Sequence, residues 1–145
     1  MTYAELKQKH QEEVNAFPFG FAFSNSQFNE MMANWNLDPE KDLDKLLSIG
    51  AGCFIRKQDR EKYKEMAERH YQELKDFRKD EKEFVKGLVY QLHNHEYGYS
   101  RYDEDLEAAL VALGLDLEDV KKDAHLKQMV QKAIKQCIKE FNEMD

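Results

Sequence analysis

From Asp59 onward the apolar residues of this chain recur at helical spacing, and that pattern confines its carboxy-terminal part to packed helices. Tyr63, Met66, His70, Leu74 and Phe77 form one stripe. Asp80 with Glu83 caps a second helix, whose Phe84, Val85, Leu88, Val89 and Leu92 face inward. Asp103 opens a third through Leu106, Ala109, Leu110 and Leu113, closed by Gly114. A last region begins at Asp116 and is capped again at Asp123. Its residues from Leu126 to Phe141 make the longest apolar stripe in the protein.

The first 58 residues read differently. Thr2 and Glu5 form a capping box for a helix that Pro18 stops near Ala16. "FPFGFAFS" then alternates, with Phe17, Phe19, Phe21 and Phe23 on one face and Pro18, Gly20, Ala22 and Ser24 on the other. This predicts a strand whose small-residue face admits a close neighbour and whose phenylalanines fill the core. Ser24 with Gln27 caps a helix presenting Phe28, Met31, Met32 and Trp35 and stopping near Asn36. "KLLSIGAGCFIRK" reads as two short strands around Gly50-Ala51-Gly52. The expected fold is α+β, a mostly helical single domain over 1–145 with an antiparallel sheet of about three strands. Residues 1–58 would supply a helix, the sheet and a helix, and 59–145 helices alone.

Charge is unevenly placed. Residues 96–119 hold eight acids, Glu96, Asp103, Glu104, Asp105, Glu107, Asp116, Glu118 and Asp119, against Arg101, so this segment alone equals the net charge of -7. Acids at helix starts complement the helix dipole and cap free amides. Eight exceed what two caps require, with the first acid of each cluster, Asp103 and Asp116, doing most of the capping. The surplus would attract a protein with a basic surface.

Three motifs have competing readings. "QLHNHEYGYSRYDED" brings His93, His95, Glu96, Tyr97 and Tyr99 together. If the helix begun at Asp80 runs to Glu96, Gly98 ends it, Tyr99 packs back, and both histidines sit favourably at its carboxy end. If it stops at Leu92, His93, His95, Tyr97 and Tyr99 share an extended face, as a metal site or an enzyme would need, but no third ligand is well placed. "ALVALGLDLEDVKK" imitates a helix-turn-helix, yet Asp116, Glu118 and Asp119 would meet phosphate and Leu110 sits where a small residue is needed; no direct nucleic-acid binding is expected. The glycines of "SIGAGCFIRK" lead into a strand rather than a helix, so a phosphate cradle is disfavoured despite Arg56 and Lys57. No motif implies a cofactor, and no metal ligand set is assigned.

Isolated Cys53 and Cys137, with no run of the roughly 18 apolar residues a membrane span needs, point to a soluble protein of a reducing compartment. The segments "MTYAELKQKHQEEVNAFPFGFAFSNSQF", "SIGAGCFIRKQD", "NHEYGYS" and "DLEAALVALGLDLEDVKKDAHL" together resemble an uncharacterised family of small proteins from phages and integrative mobile elements of gut-dwelling Firmicutes. The resemblance spans nearly the whole chain and carries over no functional residue. It implies the cytoplasm of a bacterial host and, by analogy, an accessory protein that acts on host defences such as CRISPR or restriction systems. Binding is favoured over catalysis: the acidic segment would engage a basic surface on a host or element protein. The alternative is a small metal-binding protein or enzyme at His93, His95 and Glu96. A third reading is self-association through the Leu126–Phe141 stripe.

Overall fold

The computed structural model describes residues 1–144. In chain order the elements are α1 (Tyr3–Ala16), β1 (Gly20–Phe21), α2 (Asn25–Asn34), β2 (Leu46–Gly50), β3 (Cys53–Arg56), α3 (Arg60–Phe77), α4 (Glu81–Asn94), α5 (Tyr97–Ser100), α6 (Asp103–Val111), α7 (Leu117–Lys122) and α8 (Ala124–Asn142), with short 3-10 turns before β2 and α3. This is the mostly helical α+β class that the sequence pattern anticipates. The chain gathers into two compact units, residues 11–69 and residues 1–10 with the chain from His70 onward, so the division falls within α1 and α3.

The unit of residues 11–69 holds the sheet, ordered β1-β3-β2 and antiparallel throughout. β2 and β3 form a hairpin whose Gly50, Ala51 and Gly52 all have positive φ, as a tight turn of this hand requires. Gly20 pairs with Phe54 and lies under α2. A Cβ there would sit 2.5 Å from Met31 Sδ and collide with the Trp35 ring, so only glycine lets α2 pack this closely. Met31, Met32 and Ile55 are buried, and Phe28 meets Phe54 edge-on at 5.7 Å between centroids. The small-residue face admits a neighbour as expected; the phenylalanine face does not fill the core. Phe17 and Phe19 are half-buried around Tyr63, at 6.0 and 5.9 Å, while Phe21 is 59% and Phe23 73% exposed. Alternation separates two faces, but steric fit decides which turns inward. Here the methionines of α2 need Gly20.

Arg56, a candidate phosphate contact in the sequence, has another role. Its Nε donates to Asp59 Oδ2 at 2.9 Å and its guanidinium lies 5.8 Å from the centre of the Trp35 ring. Asp59 is itself buried, and a buried carboxylate is tolerable only with such a cation.

In the other unit α4 is central and packs on α8 and α6. Its Phe84, Leu88 and Leu92 are fully buried with Leu110, Leu113, Val130, Ala133 and Cys137. Asp80 caps α4 by accepting from the Glu83 amide at 3.2 Å, and Asp123 caps α8 by accepting from the Leu126 amide at 3.0 Å. The start of α1 crosses α4 at Gly87, where an added Cβ would stand 3.0 Å from Tyr3. Gln91 Nε2 donates to the Tyr3 hydroxyl at 2.6 Å, and burial holds that phenol's pKa above its ordinary 10.0. α6 ends in a Schellman turn: Gly114 has φ 78°, and the Leu115 amide donates to Leu110 O at 3.0 Å. No helix among the described residues is long and apolar enough to cross a membrane.

Candidate partner-binding face on α6 and α7

Two left-handed residues, Glu96 (φ 60°) and Arg101 (φ 58°), bracket the single turn of α5. They redirect the chain from α4 into α6. The α4 helix stops at Asn94, short of Glu96, and it is Glu96 rather than Gly98 that takes the left-handed position. Gly98 has a different purpose. It is buried against α8, and a Cβ on it would lie 2.9 Å from Phe141. Tyr99 does not pack back on α4 and is 80% exposed.

The helical course of the backbone through His93 and α5 also removes the extended face on which His93, His95, Tyr97 and Tyr99 would align. His93 instead faces α8, with Nδ1 3.8 Å from Cys137 Sγ and Nε2 3.8 Å from Glu140 Oε2. His95 forms the end of α4, and Glu96 projects into solvent. Among the described residues no group of three histidine, cysteine, aspartate or glutamate side chains is placed to hold a metal ion. The Cys137 thiol is fully buried, and burial, then the Glu140 carboxylate, pushes its pKa up, the reverse of what a nucleophile needs.

The acidic residues sort into two groups by what they touch. Asp116 and Asp119 form a reciprocal capping box on α7: Asp116 accepts from the Asp119 amide at 2.8 Å, and Asp119 accepts from the Asp116 amide at 3.0 Å. Asp105 accepts from the Ser100 hydroxyl, which in turn accepts from the Tyr102 amide, and this closes the α5–α6 corner. Glu118 pairs with Lys121 at 3.4 Å. Asp105, Asp116 and Asp119 serve the fold, while Glu118 has only an exposed lysine beside it. Asp119 therefore shares the capping of α7 equally with Asp116, where the sequence pattern points chiefly to the first acid of the cluster. Asp103 does not cap α6, since the capping position belongs to Tyr102, which makes no side-chain cap bond.

Asp103, Glu104 and Glu107 are exposed, and no lysine, arginine or histidine among the described residues pairs with them. With Ala108, Val111 and Leu117 they line a shallow, open groove of about 570 Å³. Val111 is 58% exposed although its neighbours Ala109 and Leu110 are fully buried. Sequence reasoning overlooked Val111 and Leu117. The signal was present for Val111, an apolar residue outside the Leu106, Ala109, Leu110, Leu113 stripe.

The α8 stripe faces the core. Val130, Ala133 and Cys137 are buried, Leu126, Met129, Ile134, Ile138 and Phe141 are half-buried, and Lys127, Lys132, Lys135 and Lys139 are exposed. The stripe on which self-association through this helix would draw is therefore turned mainly toward the core, with its partly exposed members at the edge. Residues 2–136 match a family of unknown function (DUF7659). No curated protein and no solved structure matches the chain.

Proposed function

We propose that this chain, which belongs to the family of unknown function matched across residues 2–136, acts by binding a protein with a basic surface through the acidic face of α6 and α7. The observation that carries the reading is the division of the carboxylates. Asp105, Asp116, Asp119 and Glu118 have partners within the chain, whereas Asp103, Glu104 and Glu107 are exposed together with no cation among the described residues paired to them. Glu107 stands three and four residues from Glu104 and Asp103, so like charges face one another across a turn of the helix, and a cationic partner relieves their repulsion. In the biological setting suggested by the resemblance, the partner is a host or element protein in a bacterial cytoplasm. The chain is then an accessory protein of a phage or mobile element, with inhibition of a CRISPR or restriction system as its most specific form.

The test is affinity capture from a bacterial host lysate with the wild type and the Asp103→Asn, Glu104→Gln, Glu107→Gln variant. Retention of a specific basic protein by the wild type, lost in the variant and weakened by added salt, supports the reading. Equal capture by both proteins removes it.

A second reading rests on a separate observation. Phe21 and Phe23 are exposed at the edge of the sheet in the unit of residues 11–69, and exposed aromatics are favoured contact residues. Replacing both by serine and repeating the capture tests this surface independently of the acidic one.

A further inference from the structure

The groove beside the unpaired carboxylates has a shape as well as a charge. Glu104, Glu107, Ala108 and Val111 lie on one face of α6 at spacings of three and four, so acid occupies its amino-terminal end and apolar surface its carboxy-terminal end. Leu117, at the start of α7, completes the apolar end. We propose that this groove receives an amphipathic basic helix of the partner, with lysine or arginine set against Asp103, Glu104 and Glu107 and an apolar side chain, about two turns along, set against Val111 and Leu117. The inference rests on the preceding reading that the acidic face binds a basic protein, and adds the form in which the partner presents itself.

Three physical arguments select this occupant. The helical bonds of α6 engage its backbone, so the groove offers no ladder to an extended peptide, whose own amides and carbonyls would be desolvated without partners. Nucleic acid would place phosphates against three carboxylates. The basic helix face that α8 of a second copy would offer sets Lys127, Lys132, Lys135 and Lys139 among glutamines rather than exposed apolar residues, leaving Val111 and Leu117 uncovered. A foreign helix that is basic along one part of its face and apolar along the next satisfies both ends of the groove.

The test uses three synthetic peptides of about 18 residues, long enough to hold several turns. One is an amphipathic Lys/Leu helix, one a scramble of equal charge without an apolar face, and one the same helix with glutamate for lysine. Binding to the whole chain is read by fluorescence anisotropy, alongside two variants, Val111→Glu and the Asp103→Asn, Glu104→Gln, Glu107→Gln triple. Val111 is exposed, so its substitution leaves the core intact, and circular dichroism checks this.

The expected result is that the amphipathic basic helix binds at least about tenfold tighter than its scramble, and that each variant loses at least about tenfold, as removal of a groove anchor does. The acidic helix should not bind. If the scramble binds equally and Val111→Glu binds as well as or better than wild type, contact is by charge alone: the acidic face stands and the groove inference is overturned. If the triple variant binds every peptide as the wild type does, both readings fall. If the chain alone sediments as an oligomer that Val111→Glu dissociates, a second copy occupies the groove and the inference is overturned.

Discussion

A phenylalanine in a strand pattern reads as core, and at Phe21 that reading fails because the opposite face carries Gly20, against which Met31 and Trp35 close. Phe21→Ala should therefore cost less than about 1 kcal/mol in a denaturant titration, while Phe84→Ala, made at a fully buried site, should cost about 3 to 5. Comparable losses at the two positions would mean that the exposed row is packed. Tyr3 offers a pH test. Its phenol is buried and its pKa raised, so the folded state holds the proton more tightly than the unfolded state. The associated stability is fully present below the ordinary value of 10.0 and is lost as pH climbs from there through the folded value. Thermal melting should then fall more steeply above about pH 10 for the wild type than for Tyr3→Phe, which has no ionisable group there. Parallel curves would remove that contribution.

Among the elements, the helix starts at Ser24, Asp80, Asp116 and Asp123 were legible because an N-cap is a local event: one side chain accepts from an amide three residues on. The α4–α6 connection was not, since its bend uses left-handed Glu96 and Arg101, residue types that give no warning of positive φ. Gly98, which in the sequence marks a turn, is needed for contact with Phe141, more than forty residues later in the chain, and no local pattern reports such a contact. Gly98→Ala should accordingly destabilise by about 1 to 3 kcal/mol through overpacking against α8, whereas Glu96→Gly, which relieves a left-handed non-glycine residue, should be neutral or stabilising. Equilibrium unfolding with the order reversed would restore Gly98 as the turn residue. The acids divide the same way. Asp116→Ala and Asp119→Ala should each cost about 0.5 to 2 kcal/mol, and the Asp103, Glu104, Glu107 triple should stay within about 0.5 of wild type, because only the first pair caps a helix. The acidic segment was visible as composition; which of its members remain available to a partner depended on hydrogen bonds that composition does not encode.

For the whole molecule, class and element order followed from periodicity, while the distribution of core followed from tertiary packing. A division near residue 58, where the pattern turns wholly helical, is natural in the sequence, yet the two compact units divide within α1 and α3 instead. Their interiors differ in size. One contains a buried cluster of 14 residues centred on α4; the other buries Met31, Met32 and Ile55, with the paired Asp59 beside its three short strands. Local stability rises with buried apolar area, and short strands with a small core open by cheaper fluctuations than a helix enclosed by others. Native-state hydrogen exchange should therefore show the amides of β2 and β3 opening at a lower free energy than those of Leu88 and Leu92 in α4, with the latter approaching the global unfolding value. Equal protection at Ile55 and Leu88 would require the whole chain to open as one cooperative unit and would overturn the prediction. Lower protection confined to the sheet would place the exposed Phe21 and Phe23 on the part of the chain that opens most readily, and the carboxylates and Val111 on the part that opens last. The acidic groove would then be a pre-formed surface, ready to accept a helix without first paying to order itself.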